Sequence, residues 1–190
     1  ALEAKPLTGL HLALDPGHVG GVWAEWEWRN FRISEQDHWV REGELVLEVA
    51  KRLRSELTRL GAQVTLLRES FQPINPKTFI DYWPAAASGS AAPSEPKLKI
   101  EHALAVRNRA IRSAIVSGEL AERARVVNEV IRPDALLSLH INAAAWPEGN
   151  LQQLVDSDHA HVLVFGCLSD AELATPLHQA QFIEKLLNGS

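Results

Sequence analysis

The chain has 190 residues, a formal net charge of −5 and 46% hydrophobic residues, which suits one globular domain with a sizeable core. The acidic balance argues against nucleic acid as a partner, and no run of about 18 apolar residues marks a membrane span. The single cysteine, Cys167, leaves no internal disulfide, and the absence of Met makes ALEAKPL read as something other than a translation start, such as the terminus left after removal of a secretory signal.

In chain order, 10–15 reads as a buried strand. Residues 42–60 carry Leu45, Val49, Leu53, Leu57 and Leu60 at helical spacing, with Gly61 as the stop. AQVTLLR, 62–68, is the next strand. Strand, helix and strand in this order predict a right-handed βαβ unit with parallel strands. Helical material follows over 101–131, interrupted near Gly118. A third strand is expected at 135–141, a fourth at 161–167 with Cys167 as a buried small hydrophobe, and a helix over 170–188. The expected architecture is α/β: a single three-layer domain over 1–190 with a central, mostly parallel twisted sheet flanked by helices.

Two stretches stand apart. Residues 83–97, WPAAASGSAAPSEPK, are rich in Ala, Ser and Pro and read as an exposed loop. Residues 22–40 hold Trp23, Trp26, Trp28 and Trp39, which either stack on a ligand or pack the segment onto the sheet. The alternation of Glu25, Trp26, Glu27 and Trp28 fits a hairpin arm with one apolar face.

Three residues stand out as metal-ligand candidates. His18 follows the first strand, Glu42 heads the helix, and His140 ends the third strand. Taken singly, each has an ordinary explanation: a turn histidine, a carboxylate favoured by the helix dipole, and a hydrogen-bonded core histidine. Together they supply two imidazoles and a carboxylate. That set suits zinc, whose catalytic sites use three protein ligands and keep a fourth position for water. Ligands in α/β folds also gather outside the carboxyl ends of strands.

These segments resemble, in order, the zinc-dependent N-acetylmuramoyl-L-alanine amidases of the amidase 3 type, which cut bacterial peptidoglycan. The resemblance rests on Asp15, Pro16, Gly17, His18, Gly20 and Gly21; on Glu42, Leu45, Leu47, Val49 and Ala50; and on Arg123, Asn128, Ser138, Leu139, His140, Asn142 and Ala143. It covers about 10–144. Val19 and Val127 depart from the usual Gly and Ala, and 69–122 is longer than in compact relatives.

The resemblance implies a Zn2+ cofactor held by His18, Glu42 and His140, hydrolysis of the amide between N-acetylmuramic acid and L-alanine, and an extracytoplasmic site of action in periplasm, cell wall or medium. Zinc in such sites polarises the carbonyl and activates water. Asn142, Arg123 and Asn128 are expected to support the site or the substrate. The family's general base is a late Glu in a V-E-x-G-F-like strand, and 145–190 contains no such stretch. The catalytic base is therefore unassigned, with His159 and His161 the nearest titratable residues. The chain is expected to turn over little without that Glu. The alternative is a non-catalytic zinc-containing domain that binds or regulates the cell wall; a zinc deacetylase acting on a polysaccharide ranks lower. Glu44, about 200° around the helix from Glu42, is expected to be dispensable.

Overall fold

The computed structural model describes residues 5–89, 92–142, 160–162, 176 and 179–180. The chain divides into two compact units, Ala1–Gln153 and Leu154–Ser190. In the second, residues 176 and 179–180 are helical and His161 is exposed. His159, Cys167, the rest of the expected strand 161–167 and most of the expected helix 170–188 lie outside the described residues.

The first unit is α/β. Its sheet has three strands, β1 (His11–Pro16), β4 (Gln63–Leu66) and β5 (Ala135–Leu139), in the order β4-β1-β5, all parallel. Period-two alternation sorts the side chains. Leu14 stands level with Leu66 on one side and Leu137 on the other. Helix α1 (Glu42–Arg59) covers that apolar row with Leu47 and Ala50, and Leu53 and Leu57 extend the contact. Leu14 and Leu47 are fully buried, each worth roughly 1.5–3 kcal/mol of burial. The other side of the sheet carries polar pairs: His11 Nε2 lies 2.9 Å from Thr65 Oγ1, and the Ser138 hydroxyl donates to Asp15 at 3.3 Å.

The helix lies where its periodicity put it, but it is rotated. Leu45 and Val49 are 46% and 51% exposed, while Gly43, Val46, Leu47 and Ala50 face inward. Small residues were not counted as part of the stripe, yet a helix packed closely on a sheet favours them. Gly43 touches the turn after β1, and a Cβ there would collide with the Val19 carbonyl. The helix ends as expected. Gly61 takes φ +103°, its N–H reaches the Thr58 carbonyl at 2.9 Å, and Ala62 N–H reaches the Leu57 carbonyl at 3.0 Å, which is a Schellman motif.

The alternating residues 25–28 do not form a hairpin arm. Gly21–Glu25 is a 3-10 turn, and a two-stranded antiparallel ribbon follows from β2 (Asn30–Phe31) and β3 (Val40–Arg41). The apparent alternation belongs to a tight turn: Trp23 and Trp26 pack against buried Val19, Ile111 and Ile115.

The expected exposed loop 83–97 is helical at both ends. Helix α2 (Phe79–Ala87) runs through its first five residues, and α3 (Pro96–Arg112) begins near its end, with Pro at the first helical position. A capping box starts α2: Asp81 accepts the Thr78 N–H at 2.7 Å. That N–H, together with the Thr78 hydroxyl donating to the same carboxylate at 3.1 Å, holds the Asp81 carboxyl below its ordinary range. Ala86 then packs on Val106 and Ala110 of α3. The Ala and Pro residues that looked like low complexity are thus a helix former and a helix starter.

The expected interruption near Gly118 is a change of pitch. From α3 the chain passes through a π segment, Ser113–Gly118, into α4 (Glu119–Arg125), then a second π segment, Val126–Ile131. Gly118 lies against the Tyr82 hydroxyl and has no room for a Cβ. Among the described residues no helix is long and apolar enough to cross a membrane.

Candidate metal centre

The site lies at the carboxyl ends of β1 and β5, beside the first turn of α1. After Pro16 the chain turns sharply, and His18 takes a left-handed conformation with φ 56°. Such a conformation costs a non-glycine residue about 1–2 kcal/mol, so other contacts must hold it. Several do. Gly17 N–H donates to the Leu139 carbonyl at 2.9 Å, tying the turn to the end of β5. Arg123, almost fully buried, donates to the Pro16 carbonyl at 2.8 Å, the His18 carbonyl at 2.9 Å and the Asp15 carboxylate at 2.7 Å. Its charge is also met by Glu119 at 2.9 Å.

Arg68 holds the other side. Buried at the end of the 62–68 segment, it donates to the carbonyls of Pro16, Gly17, Gly43 and Ser70. The turn and the first residues of α1 are thereby clasped by one guanidinium. Burial, with the nearby Arg123 charge, lowers the Arg68 pKa to about 10, so it remains a cation at neutral pH.

The three candidate ligands converge. Glu42 Oε1 lies 3.5 Å from His18 Nε2 and 3.3 Å from His140 Nδ1. The imidazole rings meet edge to face, 4.9 Å between centroids. One donor atom from each residue lies within 4.8 Å of the others. A tetrahedral ion with bonds of about 2.0–2.1 Å requires donors about 3.3 Å apart, and both Glu42 distances meet that spacing. The group could hold a metal ion. Glu42 is further oriented by the Ile141 N–H, which donates to the same oxygen at 2.9 Å. Gly17 makes the approach possible, because a Cβ there would strike the His140 ring and the Leu139 carbonyl.

The remaining candidates distribute unevenly. Arg123 touches the turn but not the ligand rings. Asn142 is exposed just beyond β5, and Asn128 is exposed on the second π segment. Val19 is fully buried and anchors the core with Ile111 and Ile115. Glu44 does not point away from the site's surroundings: its carboxylate accepts the Gly21 N–H at 2.9 Å and pairs with Arg41 at 3.3 Å. The turn folds back over the helix end and meets it.

Two residues escaped the sequence reading. Arg68 looked like the polar end of a strand, and no local pattern marks an arginine whose acceptors are backbone carbonyls. Glu27 looked like an exposed member of an alternating pair, yet its carboxylate lies 3.3 Å from His18 Nδ1 and accepts the Val19 N–H at 2.7 Å. An acidic residue within ten positions of a candidate histidine ligand was the available signal. No protein-family model, curated protein or solved structure matches this chain.

Proposed function

We propose that the chain is a zinc-dependent amidase that hydrolyses the bond between N-acetylmuramic acid and L-alanine in bacterial peptidoglycan, outside the cytoplasmic membrane. The proposed scaffold is a three-layer α/β domain built around the β4-β1-β5 sheet. The observation that carries the reading is the meeting of His18, Glu42 and His140, three residues far apart in sequence, with one donor atom of each within 4.8 Å of the others. They are also the three positions at which the amidase-like motifs place ligands.

Zinc at this site would supply Lewis-acid polarisation of the amide carbonyl and activation of water. The chain's own contribution is placement. Glu42 and His18 are held by α1 and by the turn, and His140 closes the set from β5. Glu27 and Glu44, the other carboxylates at the turn, are each engaged by backbone N–H groups. The general base is unassigned.

The test is direct. The purified chain should take up close to one zinc, and His18→Ala or His140→Ala should abolish uptake. Incubation with purified muropeptides, read by mass spectrometry, then separates the outcomes. Release of stem peptide supports the amidase. Retention on peptidoglycan sacculi with zinc bound and no cleavage supports a non-catalytic wall-binding domain. Absence of zinc at neutral pH overturns both.

A further inference from the structure

Glu27 sits between two tryptophans, and its carboxylate is nearly buried, with 10% of the side chain exposed. We propose that Glu27 is a positioning residue of the metal centre: it fixes the tautomer and ring orientation of His18, and the flanking tryptophans hold it in place. This inference rests on the metal reading above and assigns to that site a residue that the amidase-like motifs do not include.

An ionised carboxylate only accepts hydrogen bonds. Glu27 Oε1 is within hydrogen-bond reach of His18 Nδ1 at 3.3 Å, while Glu42 Oε1 stands farther from Nε2, at 3.5 Å, so this geometry favours a neutral ring with its proton on Nδ1. The lone pair is then left on Nε2, the nitrogen that faces Glu42 Oε1 at 3.5 Å. A histidine ligand whose second nitrogen donates to a carboxylate is a recurring support of metal sites. The second oxygen of Glu27 accepts the Val19 N–H at 2.7 Å. One carboxylate therefore grips the His18 ring and the backbone just beyond it.

The neighbours explain why Glu27 stays there. Trp26 is packed against Val19, Ile111 and Ile115. Trp28 takes a left-handed conformation, φ 56°, with the Arg112 guanidinium 3.9 Å from its ring centroid. The Trp28 N–H and Arg29 N–H close the turn onto the Glu25 and Ala24 carbonyls at 3.2 and 2.9 Å. A half-buried indole packed against the core and a largely exposed one facing a cation flank Glu27 on either side.

The experiment uses the full 190-residue chain with two readouts. Long-range proton–nitrogen NMR of the metal-free chain should show His18 protonated at Nδ1, and Glu27→Ala should move that proton to Nε2. Competition with a chromophoric chelator should show zinc affinity falling ten- to hundred-fold in Glu27→Gln. Glutamine keeps the shape but cannot accept from both His18 and Val19. Glu27→Asp, which keeps the charge and retracts it by one methylene, should restore part of the affinity. A His18 ring protonated at Nε2 in the unsubstituted chain, or wild-type zinc affinity in folded Glu27→Gln and Glu27→Asp, overturns the inference. Absence of zinc uptake by the unsubstituted chain instead overturns the metal reading, and the NMR readout, which needs no metal, tells the two failures apart.

Discussion

The two imidazoles of the candidate centre end neighbouring parallel strands, yet they are held in opposite ways. His18 is mostly buried, at 17% side-chain exposure, in a left-handed turn clasped by Arg123, Arg68 and Glu27. His140 is 50% exposed, and its Nδ1 faces Glu42 at 3.3 Å. The first half of the site is built by the fold. The second is delivered to it by β5 and lies against Gly17. The difference teaches that the fold's stability is invested in the turn, so that a metal would add most where the protein adds least, at the end of β5.

Five experiments break or sharpen this contrast. The largest effect is expected from Arg123→Ala. It leaves Asp15 and Glu119 without their cation, and stripping one partner from a buried ion pair costs about 3–5 kcal/mol. Denaturant unfolding of the metal-free chain should show that loss. A loss below about 1 kcal/mol would mean that the turn is held otherwise.

Next comes the metal itself. Zinc at a hundredfold excess over its Kd should add about 2.7 kcal/mol, reversed by a chelator. Hydrogen exchange should place the gained protection at Ile141 N–H, which donates to Glu42. Protection gained only around His18 would invert the proposed division. Gly17→Ala should erase much of this gain by pushing the His140 ring outward, and unchanged zinc affinity in that variant would contradict the packing.

A smaller change belongs to Glu44→Ala. It frees the Gly21 N–H and should cost about 1 kcal/mol while leaving zinc affinity near that of the unsubstituted chain. Smallest is His140→Ala in the metal-free chain. An exposed side chain away from the core should move stability by no more than about 0.5 kcal/mol, although the same variant forfeits the whole zinc-linked gain. A large loss without metal would show that His140 belongs to the built half.

The contrast also explains what the sequence could show. The strands β1, β4 and β5, the helix α1 and the three candidate ligands were legible because each follows a local pattern: an apolar run, a helical stripe, a donor at an element's edge. The rotation of α1 was not, because Gly43 and Ala50 carry little hydrophobic signal and matter through closeness of approach. The capping box at Thr78 and the Pro96 start were legible in principle but were masked by the Ala- and Ser-rich composition around them. Arg68 and Glu27 were hidden for a different reason. Their partners are Pro16, Gly17, Gly43, His18 and Val19, and such pairings depend on how the chain folds back, which periodicity does not encode. The exposure of Asn128 follows from the helix phase through the π segments, which propensity does not anticipate.

The strand order β4-β1-β5 has a consequence for synthesis. A chain emerging from its N-terminus can complete β1, α1 and β4 early, and with them the pair His18 and Glu42. The third donor, His140, follows Glu42 by 98 residues, after the whole α2–α4 helical run has been made. Throughout that interval the nascent chain offers an ion only two side chains on an open edge of β1. Capture of a metal by this group would then be a late event that reports the arrival of the last strand, and a truncation before residue 135 should yield a βαβ unit that ignores zinc.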